Sequence, residues 1–107
     1  MSDIFYIKQN DTGPSIGFAV TPTTISFVGA SATASLRDPD GAMVFSKRVA
    51  SFEALTGTPT LRYDWQAGDT AKIGLHAMEF EVTYSDGSIT TFPNTGNIKV
   101  LVVDDIA

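Results

Sequence analysis

Histidine occurs only once in this chain, at His76, so acid–base and metal chemistry near neutral pH have few residues to use. One imidazole excludes a histidine-rich metal site, and the absence of cysteine excludes thiolate ligands, disulfides and a cysteine nucleophile. A Ser-His-Asp triad would need His76 close to a serine at a nucleophile elbow, and we predict no such triad. We therefore expect no catalytic, metal-binding or cofactor-binding residue, no cofactor and no enzyme activity.

Two pairs of acidic residues have spacings that occur in catalytic or calcium sites. Glu79 and Glu81 alternate along a predicted strand, so their carboxylates share one face about 7 Å apart, as in an inverting carboxylate pair. Exposed strands also carry alternating acids for solubility, and a hydrolase built on these glutamates is only a third hypothesis. Asp38-Pro39-Asp40-Gly41 is similar to the start of a calcium loop, but the apolar residues that follow supply no ligands, which favours a turn.

Aromatic residues offer a second kind of site. Tyr63 and Trp65 are two positions apart, so both point to the same side of a predicted strand. Such a pair fills a β-sandwich core or, when it is exposed, forms a recognition patch. The core interpretation is favoured, and a carbohydrate-binding module using Trp65, Tyr63 or Tyr84 is an alternative.

The composition of the chain indicates a single folded domain and limits the classes of partner that it can bind. The 107 residues fit one domain, residues 1–107, and 43% of them are hydrophobic, which is enough for a packed core. Seven lysines and arginines against twelve aspartates and glutamates give a net charge of −5, which disfavours nucleic acid and anionic membranes as partners. Asp3 near the N-terminus and the lack of an apolar run of about 18 residues predict a soluble chain without a signal peptide.

Short runs of β-branched and aromatic residues between turn residues predict strands throughout the chain. The clearest is residues 78–84, where apolar and polar side chains alternate, followed by an Asp86-Gly87 pair typical of a two-residue type I′ hairpin turn. The pattern predicts an immunoglobulin-like antiparallel β-sandwich of about seven to eight strands, with a small closed barrel as the alternative. The predicted strands are residues 4–8, 16–20, 32–36, 43–50, 61–65, 78–84, 88–92 and 98–103.

Several short motifs follow one another in a fixed order. They are Trp65-Gln66-Ala67-Gly68-Asp69-Thr70, then Gly74, then residues 79–87, and then Thr91-Phe92-Pro93-Asn94. Together with residues 3–9 and the hairpin at residues 36–41, this order resembles the N-terminal module of tailed-phage baseplate upper proteins. The resemblance covers nearly all of the chain and implies an immunoglobulin-like fold. Because the chain stops at Ala107, with no stalk after it, the resemblance is to a stand-alone version of the module.

In that family the module is a building block of the virion. The resemblance therefore implies a non-enzymatic structural or assembly protein of a tailed phage or prophage, in the tail or baseplate. A capsid decoration protein and a carbohydrate-binding adhesion module are the alternatives. The implied partners are other virion proteins and further copies of the chain, and the implied location is the virion, or the host cytoplasm before assembly. His76 stands where similar modules have a tyrosine-corner residue, which implies one hydrogen bond from its ring to the backbone.

Contacts in such an assembly would use the unpaired edges of the sandwich. The run Val100-Leu101-Val102-Val103 is apolar at successive positions, so it either faces a partner on one side or is buried on both faces within the monomer. The predicted interface residues are Ile4, Tyr6, Val100, Leu101 and Val103. The residues predicted to be structural are His76, Trp65, Asp86 and Gly87.

Overall fold

The computed structural model describes residues 4–21 and 24–106, and its regular structure consists of β-strands. The prediction of an all-β sandwich is confirmed. No helix in these ranges is long and apolar enough to cross a membrane. Asp3, on which the signal-peptide prediction depends, lies outside the described residues. The strands are β1 (Ile4–Lys8), β2 (Ile16–Ala19), β3 (Ser31–Arg37), β4 (Met43–Ala54), β5 (Thr60–Tyr63), β6 (Gly74–Thr83), β7 (Ile89–Phe92) and β8 (Ile98–Val103).

Alternating side chains explain why the central strands form. In β6, Met78, Phe80 and Val82 are buried, and the exposed Glu79 lies between the first two. The neighbouring strand β3 has the same alternation, but with smaller side chains on its inner face. Ala34 of β3 pairs directly with Phe80, so a small residue leaves room for a large ring. The inner faces of both strands therefore belong to one core.

The strands form two layers that share β4. Hydrogen-bonded neighbours follow the order β1-β8-β6-β3-β4-β5-β2, and β7 pairs with β6. The first part of β4 pairs with β3 and its last part with β5. A bulge between the Ala34 and Leu36 pairs, where Lys47 has a φ of 53°, bends β4 before it enters the second layer. We call β1, β8, β7, β6, β3 and the first part of β4 the first sheet, and the rest of β4 with β5 and β2 the second sheet.

The two sheets are joined through β4 on one side only. On the opposite side, β1 pairs with β8 alone and β2 pairs with β5 alone among the strands of the described residues. The β1–β8 pair is parallel, so the sandwich is mixed and not purely antiparallel as predicted. The sandwich is therefore open between the free edges of β1 and β2.

The turn after β6 differs from its prediction. The sequence predicts a two-residue type I′ turn, which needs positive φ at both Asp86 and Gly87, but of these two only Gly87 has it, at 88°. The backbone N–H of Gly87 donates to the carbonyl of Tyr84 at 2.9 Å, and the N–H of Tyr84 donates to the carbonyl of Ser88 at 2.8 Å. This is a three-residue loop with a left-handed glycine. Asp86 Oδ1 accepts a 2.9 Å hydrogen bond from the Ser88 N–H and stabilises the loop.

Candidate functional site

A cleft of about 800 Å³ lies on the open side of the sandwich. Half-buried apolar side chains, Phe5, Phe18 and Ile98, pack against the core at its walls. The ring of Phe18 stacks on Phe80 with centroids 6.5 Å apart, so the apolar walls rest on rigid core residues. The full lining consists of Ile4 and Phe5 of β1, Ile16–Ala19 of β2, residues 93 and 95–97 of the loop before β8, and residues 98–99 of β8.

The edge of β2 directs backbone groups into this cleft. Val20 N–H donates to the Pro59 carbonyl at 2.8 Å, which continues the β2–β5 register by one pair. Hydrogen-bonded pairs alternate in an antiparallel ladder, so Phe18 also bonds to β5, whereas the N–H and C=O groups of Gly17 and Ala19 point away from β5. Gly17 and Ala19 line the cleft. The cleft therefore combines apolar walls with unpaired backbone donors and acceptors.

The edge of β1 has the same property. Gln9 N–H donates to the Val103 carbonyl at 2.8 Å, which fixes the parallel ladder with β8. Alternate residues of a parallel edge strand bond to the neighbour, so the backbone groups of Ile4 and Tyr6 point away from β8. Those of Lys8 do so as well, but its carbonyl accepts a 3.1 Å hydrogen bond from the Asp11 N–H. Two free strand edges thus flank the open side of the sandwich.

The predicted interface residues divide between the two faces of the first sheet. Tyr6 and Leu101 stand in one row with Leu75 on the outer face, where Tyr6 is 62% exposed and Leu75 is 44% exposed. Ile4 and Val103 lie on the same outer face by strand alternation. Val100 lies on the inner face, fully buried in the core, and offers no surface to a partner. Because residues 100–103 are all apolar, the sequence does not show which side of β8 is buried. The fold buries Val100 and Val102 and leaves Leu101 and Val103 half-buried on the outer face.

Charges on the outer face of the first sheet are separated by sign. Lys99, Ala77 and Arg37 stand side by side on β8, β6 and β3, and Glu79 and Glu81 follow along β6. Lys47 forms an ion pair with Glu81, and Arg48, Arg62 and Lys72 form ion pairs away from this face. Lys8, Arg37 and Lys99 form no ion pair with a described residue, although Lys99 donates a 2.9 Å hydrogen bond to Asn97 Oδ1. We call the end of this face that holds these three cations the basic end, and the end that holds Glu79 and Glu81 the acidic end.

A network of polar side chains fills part of the space between the sheets. Arg48 donates hydrogen bonds to the Tyr63 hydroxyl at 2.9 Å and to Asp69 Oδ1 at 2.6 Å, and the Tyr63 hydroxyl donates to Asp69 Oδ2 at 2.6 Å. The Gln66 N–H also donates to Asp69 Oδ2, at 2.8 Å. Burial, reinforced by the hydrogen bond to Asp69, raises the pKa of Tyr63 to about 12. The network therefore joins β4, β5 and the loop after β5, and its role is structural.

The two predicted structural residues with ring nitrogens, His76 and Trp65, are both buried. His76 Nδ1 lies 2.9 Å from the Gly74 carbonyl oxygen, and neither His76 Nε2 nor Trp65 Nε1 has a hydrogen-bond partner among the described residues. The Trp65 ring packs against Phe5 at 6.0 Å and Tyr63 at 5.4 Å between centroids. Tyr84, the third aromatic residue of the carbohydrate-binding alternative, is half-buried and stacks on Phe27 with centroids 6.4 Å apart. Trp65 and Tyr63 are buried, and this alternative is contradicted together with the virion function.

The acidic residues singled out by spacing do not form an enclosed site. Glu79 and Glu81 lie on the outer face of β6, and the depression beside Glu79 has a volume of only about 70 Å³. Asp38 accepts hydrogen bonds from the backbone of Asp40 and Ala42 and so closes a turn. Partial burial acts to raise the pKa of Asp38, but these hydrogen bonds and the charge of Lys72 outweigh it and hold the pKa below its usual value.

One serine of the sequence lies in a nucleophile-elbow pattern. Residues 13–17 read Gly-Pro-Ser-Ile-Gly, which matches the Gly-x-Ser-x-Gly pattern of a nucleophile elbow. Ser15 precedes β2, whereas an elbow joins a strand to a helix. Its hydroxyl donates to the exposed Asp64, and Arg62 donates to the Ser15 oxygen at 3.3 Å. His76 is buried in β6, so the only histidine of the chain is not the base of this serine.

Comparison with known proteins bears on the fold. No protein-family model matches this chain, and no curated protein matches it. Among solved structures, CopC from Methylosinus trichosporium OB3b is similar, with a TM-score of 0.57 and 17% sequence identity over 99% of this chain and 89% of that chain. At this identity the similarity shows the shared β-sandwich fold.

The same comparisons contradict the predicted function. A structural protein of a tailed-phage virion would be expected to be similar to virion proteins, whereas the similar solved structure is CopC. The virion function and its capsid-decoration alternative are therefore wrong. The motif order was a weak guide because short turn and strand motifs recur in unrelated β-sandwiches. The resemblance to the baseplate module itself stays a prediction.

Proposed function

We propose that this chain is a non-catalytic binding domain that holds an extended polypeptide segment in the cleft between β1 and β2. The single observation that carries the proposal is that both walls of one partly apolar cleft are strand edges that pair with no further strand of the described residues. An extended segment satisfies such an edge with main-chain hydrogen bonds and places alternate side chains into apolar pockets.

The two kinds of contact in the cleft have separate roles. Gly17 and Ala19 of β2 supply backbone donors and acceptors, so the added segment lies alongside β2. Every second side chain of that segment would face inward, against Phe5, Phe18 and Ile98. These contacts favour segments in which apolar residues alternate with residues of any kind.

The proline variant Ala19→Pro tests the backbone contact directly. Proline removes the N–H of residue 19, which points into the cleft and does not bond to β5, so the β2–β5 ladder keeps its hydrogen bonds. A display library of random linear peptides is selected on the unmodified chain, and the enriched peptides are synthesised. We expect Ala19→Pro to weaken their binding about tenfold, with an unchanged melting temperature.

The matched control is Ala19→Val, which retains the N–H and adds only an exposed side chain. It should bind the same peptides as tightly as the unmodified chain. Enriched peptides that bind all three proteins equally, or a library that yields no binder, would refute the proposal.

A metal-handling function, to which the similarity to CopC points, would require a group of metal-ligating side chains in this chain. His76 Nε2 is a buried imidazole nitrogen without a partner, which is one ligand atom of a kind that copper accepts. Within the described ranges, however, no group of three or more histidine, cysteine, aspartate or glutamate side chains is placed to hold a metal ion. The residues do not fit a copper site. A rise in melting temperature with added Cu(I) or Cu(II) that is lost in His76→Phe would reverse this conclusion.

A further inference from the structure

We propose that two copies of this chain associate through the outer face of the first sheet, around a two-fold axis that lies in the plane of the interface and runs across the strands. The interface would use neither the cleft nor the free backbone groups of β2. It rests on the distribution of apolar and charged side chains over one sheet face.

The outer face exposes several large apolar side chains to water. Tyr6 and Leu75 belong to the basic end, and Val49 and Ile89, which pair with Thr33 and Thr83, belong to the acidic end. Val49 is 81% exposed and Ile89 is 60% exposed. Both ends therefore contain apolar side chains that lose contact with water when the face is covered.

The charges on the face are complementary to themselves under a two-fold rotation. Arg37 and Lys99 flank Ala77 in one row, and Glu79 and Glu81 lie two and four residues farther along β6. A two-fold axis between these rows places the basic end of one copy over the acidic end of the other, in both directions at once. Lys47 lies 3.9 Å from Glu81, but its side chain is 68% exposed, so this pair neutralises the acidic end only weakly.

A second copy fits the whole face better than the other occupants do. An anionic lipid surface would attract the basic end but repel Glu79 and Glu81, and the net charge of −5 would add to that repulsion. Pairing of two β1 edges would extend the sheet sideways and leave Leu75 and Val49 uncovered. Of these arrangements, only the face-to-face one covers the apolar side chains and also places acidic groups opposite Arg37 and Lys99.

Charge reversal at the two ends tests the arrangement. We expect the unmodified chain to show a concentration-dependent monomer–dimer equilibrium in sedimentation equilibrium experiments. The double variants Arg37→Glu/Lys99→Glu and Glu79→Lys/Glu81→Lys should each raise the dissociation constant at least about tenfold, because each brings like charges together in the self-dimer. An equimolar mixture of the two double variants should form heterodimers, because one face is then acidic and the other basic.

Controls separate this interface from other causes. Glu53→Lys changes the net charge on a side chain outside this face, and Ala19→Pro alters the cleft, so both should dimerise like the unmodified chain. Melting temperatures establish that each variant is folded. The proposal is overturned if the unmodified chain stays monomeric at about millimolar concentration, or if the mixture of double variants remains monomeric. Binding of a monomeric chain to phosphatidylserine vesicles that is lost in Arg37→Glu/Lys99→Glu would assign the face to an anionic membrane instead.

Discussion

Charged groups between the two sheets and charged groups on the outer face of the first sheet are arranged differently. Between the sheets, Arg48 and Asp69 are hydrogen bonded to each other and to Tyr63. On the outer face, Arg37 and Lys99 form no ion pair with a described residue. Burial explains the difference, since a charge without a partner costs several kcal/mol in the interior and almost nothing in water. The buried Asp69 is thus held by partners within the fold, whereas Arg37 and Lys99 on the outer face have no described ionic partner and are available to pair with a second molecule.

The largest effect should come from removing the carboxylate at the centre of the network. Asp69→Ala leaves Tyr63 without an acceptor and Arg48 without its counter-ion, and we expect a loss of about 2–4 kcal/mol in the free energy of unfolding. Urea unfolding at neutral pH measures it. The matched control is Asp64→Ala, where the aspartate is exposed and pairs with Arg62, and we expect its unfolding midpoint to stay close to that of the unmodified chain. Equal losses of stability in Asp69→Ala and Asp64→Ala would contradict the claim that burial makes the Asp69 contacts more important for folding.

Alkaline pH should weaken the same network without any mutation. Tyr63 has a pKa of about 12 in the folded chain, against about 10 in an unfolded one. Its contribution is fully present below pH 10 and is lost as pH rises from about 10 to 12, because the unfolded chain then releases a proton that the folded chain retains. We expect a loss of about 2–3 kcal/mol over this range, measured by urea unfolding. The loss should be absent in Tyr63→Phe, which has no phenol to titrate, and an identical pH dependence in that variant would exclude Tyr63 as its source.

The same substitution at two neighbouring valines of β8 compares the inner face of the strand with its outer face. Val102→Thr places a hydroxyl in the core, where the side chain is fully buried, and should cost about 1–3 kcal/mol. Val103→Thr places the same hydroxyl on the half-buried outer side, within reach of water, and should cost less than about 0.5 kcal/mol. Thermal unfolding of the two variants provides the measurement. A larger loss for Val103→Thr would show that the outer face is already covered in the isolated protein.

The smallest effect on stability should come from the free cations. Because Arg37 is exposed and has no ion pair with a described residue, Arg37→Gln should leave the melting temperature unchanged. The same substitution at Arg48 should lower the melting temperature, since Asp69 then loses its cation. A melting temperature that falls equally in both variants would mean that Arg37 is also required for folding.

Much of the fold was readable from local patterns. The strand around Met78, Phe80 and Val82 follows from apolar alternation, because successive side chains of a β-strand point to opposite faces of the sheet. The length of β4 was underestimated, since the sequence predicts an end at Ala50 whereas the strand continues to Ala54. This extension exists because the last part of β4 gains a new partner, β5, and pairing with a distant strand leaves no local signal.

The candidate site was less accessible to sequence reasoning. Ile4 and Tyr6 were singled out as edge residues, and the outer face on which they lie is part of the proposed interface. The cleft was not predicted, because Phe5, Phe18 and Ile98 are far apart in the chain and are brought together only by the closure of the two sheets. The network around Asp69 was missed as well, because Arg48, Tyr63 and Asp69 show no spacing that marks them as partners.

By itself, the sequence determined that this protein is built from strands, that it lacks cysteine, and that a single histidine limits its chemistry. These properties depend on residue type and on near neighbours along the chain. Within the described residues, the tertiary structure alone decided which strand edges stay unpaired, which cations form no ion pair, and which side of β8 faces water. Those features depend on contacts between residues distant in sequence, and local propensities do not contain that information.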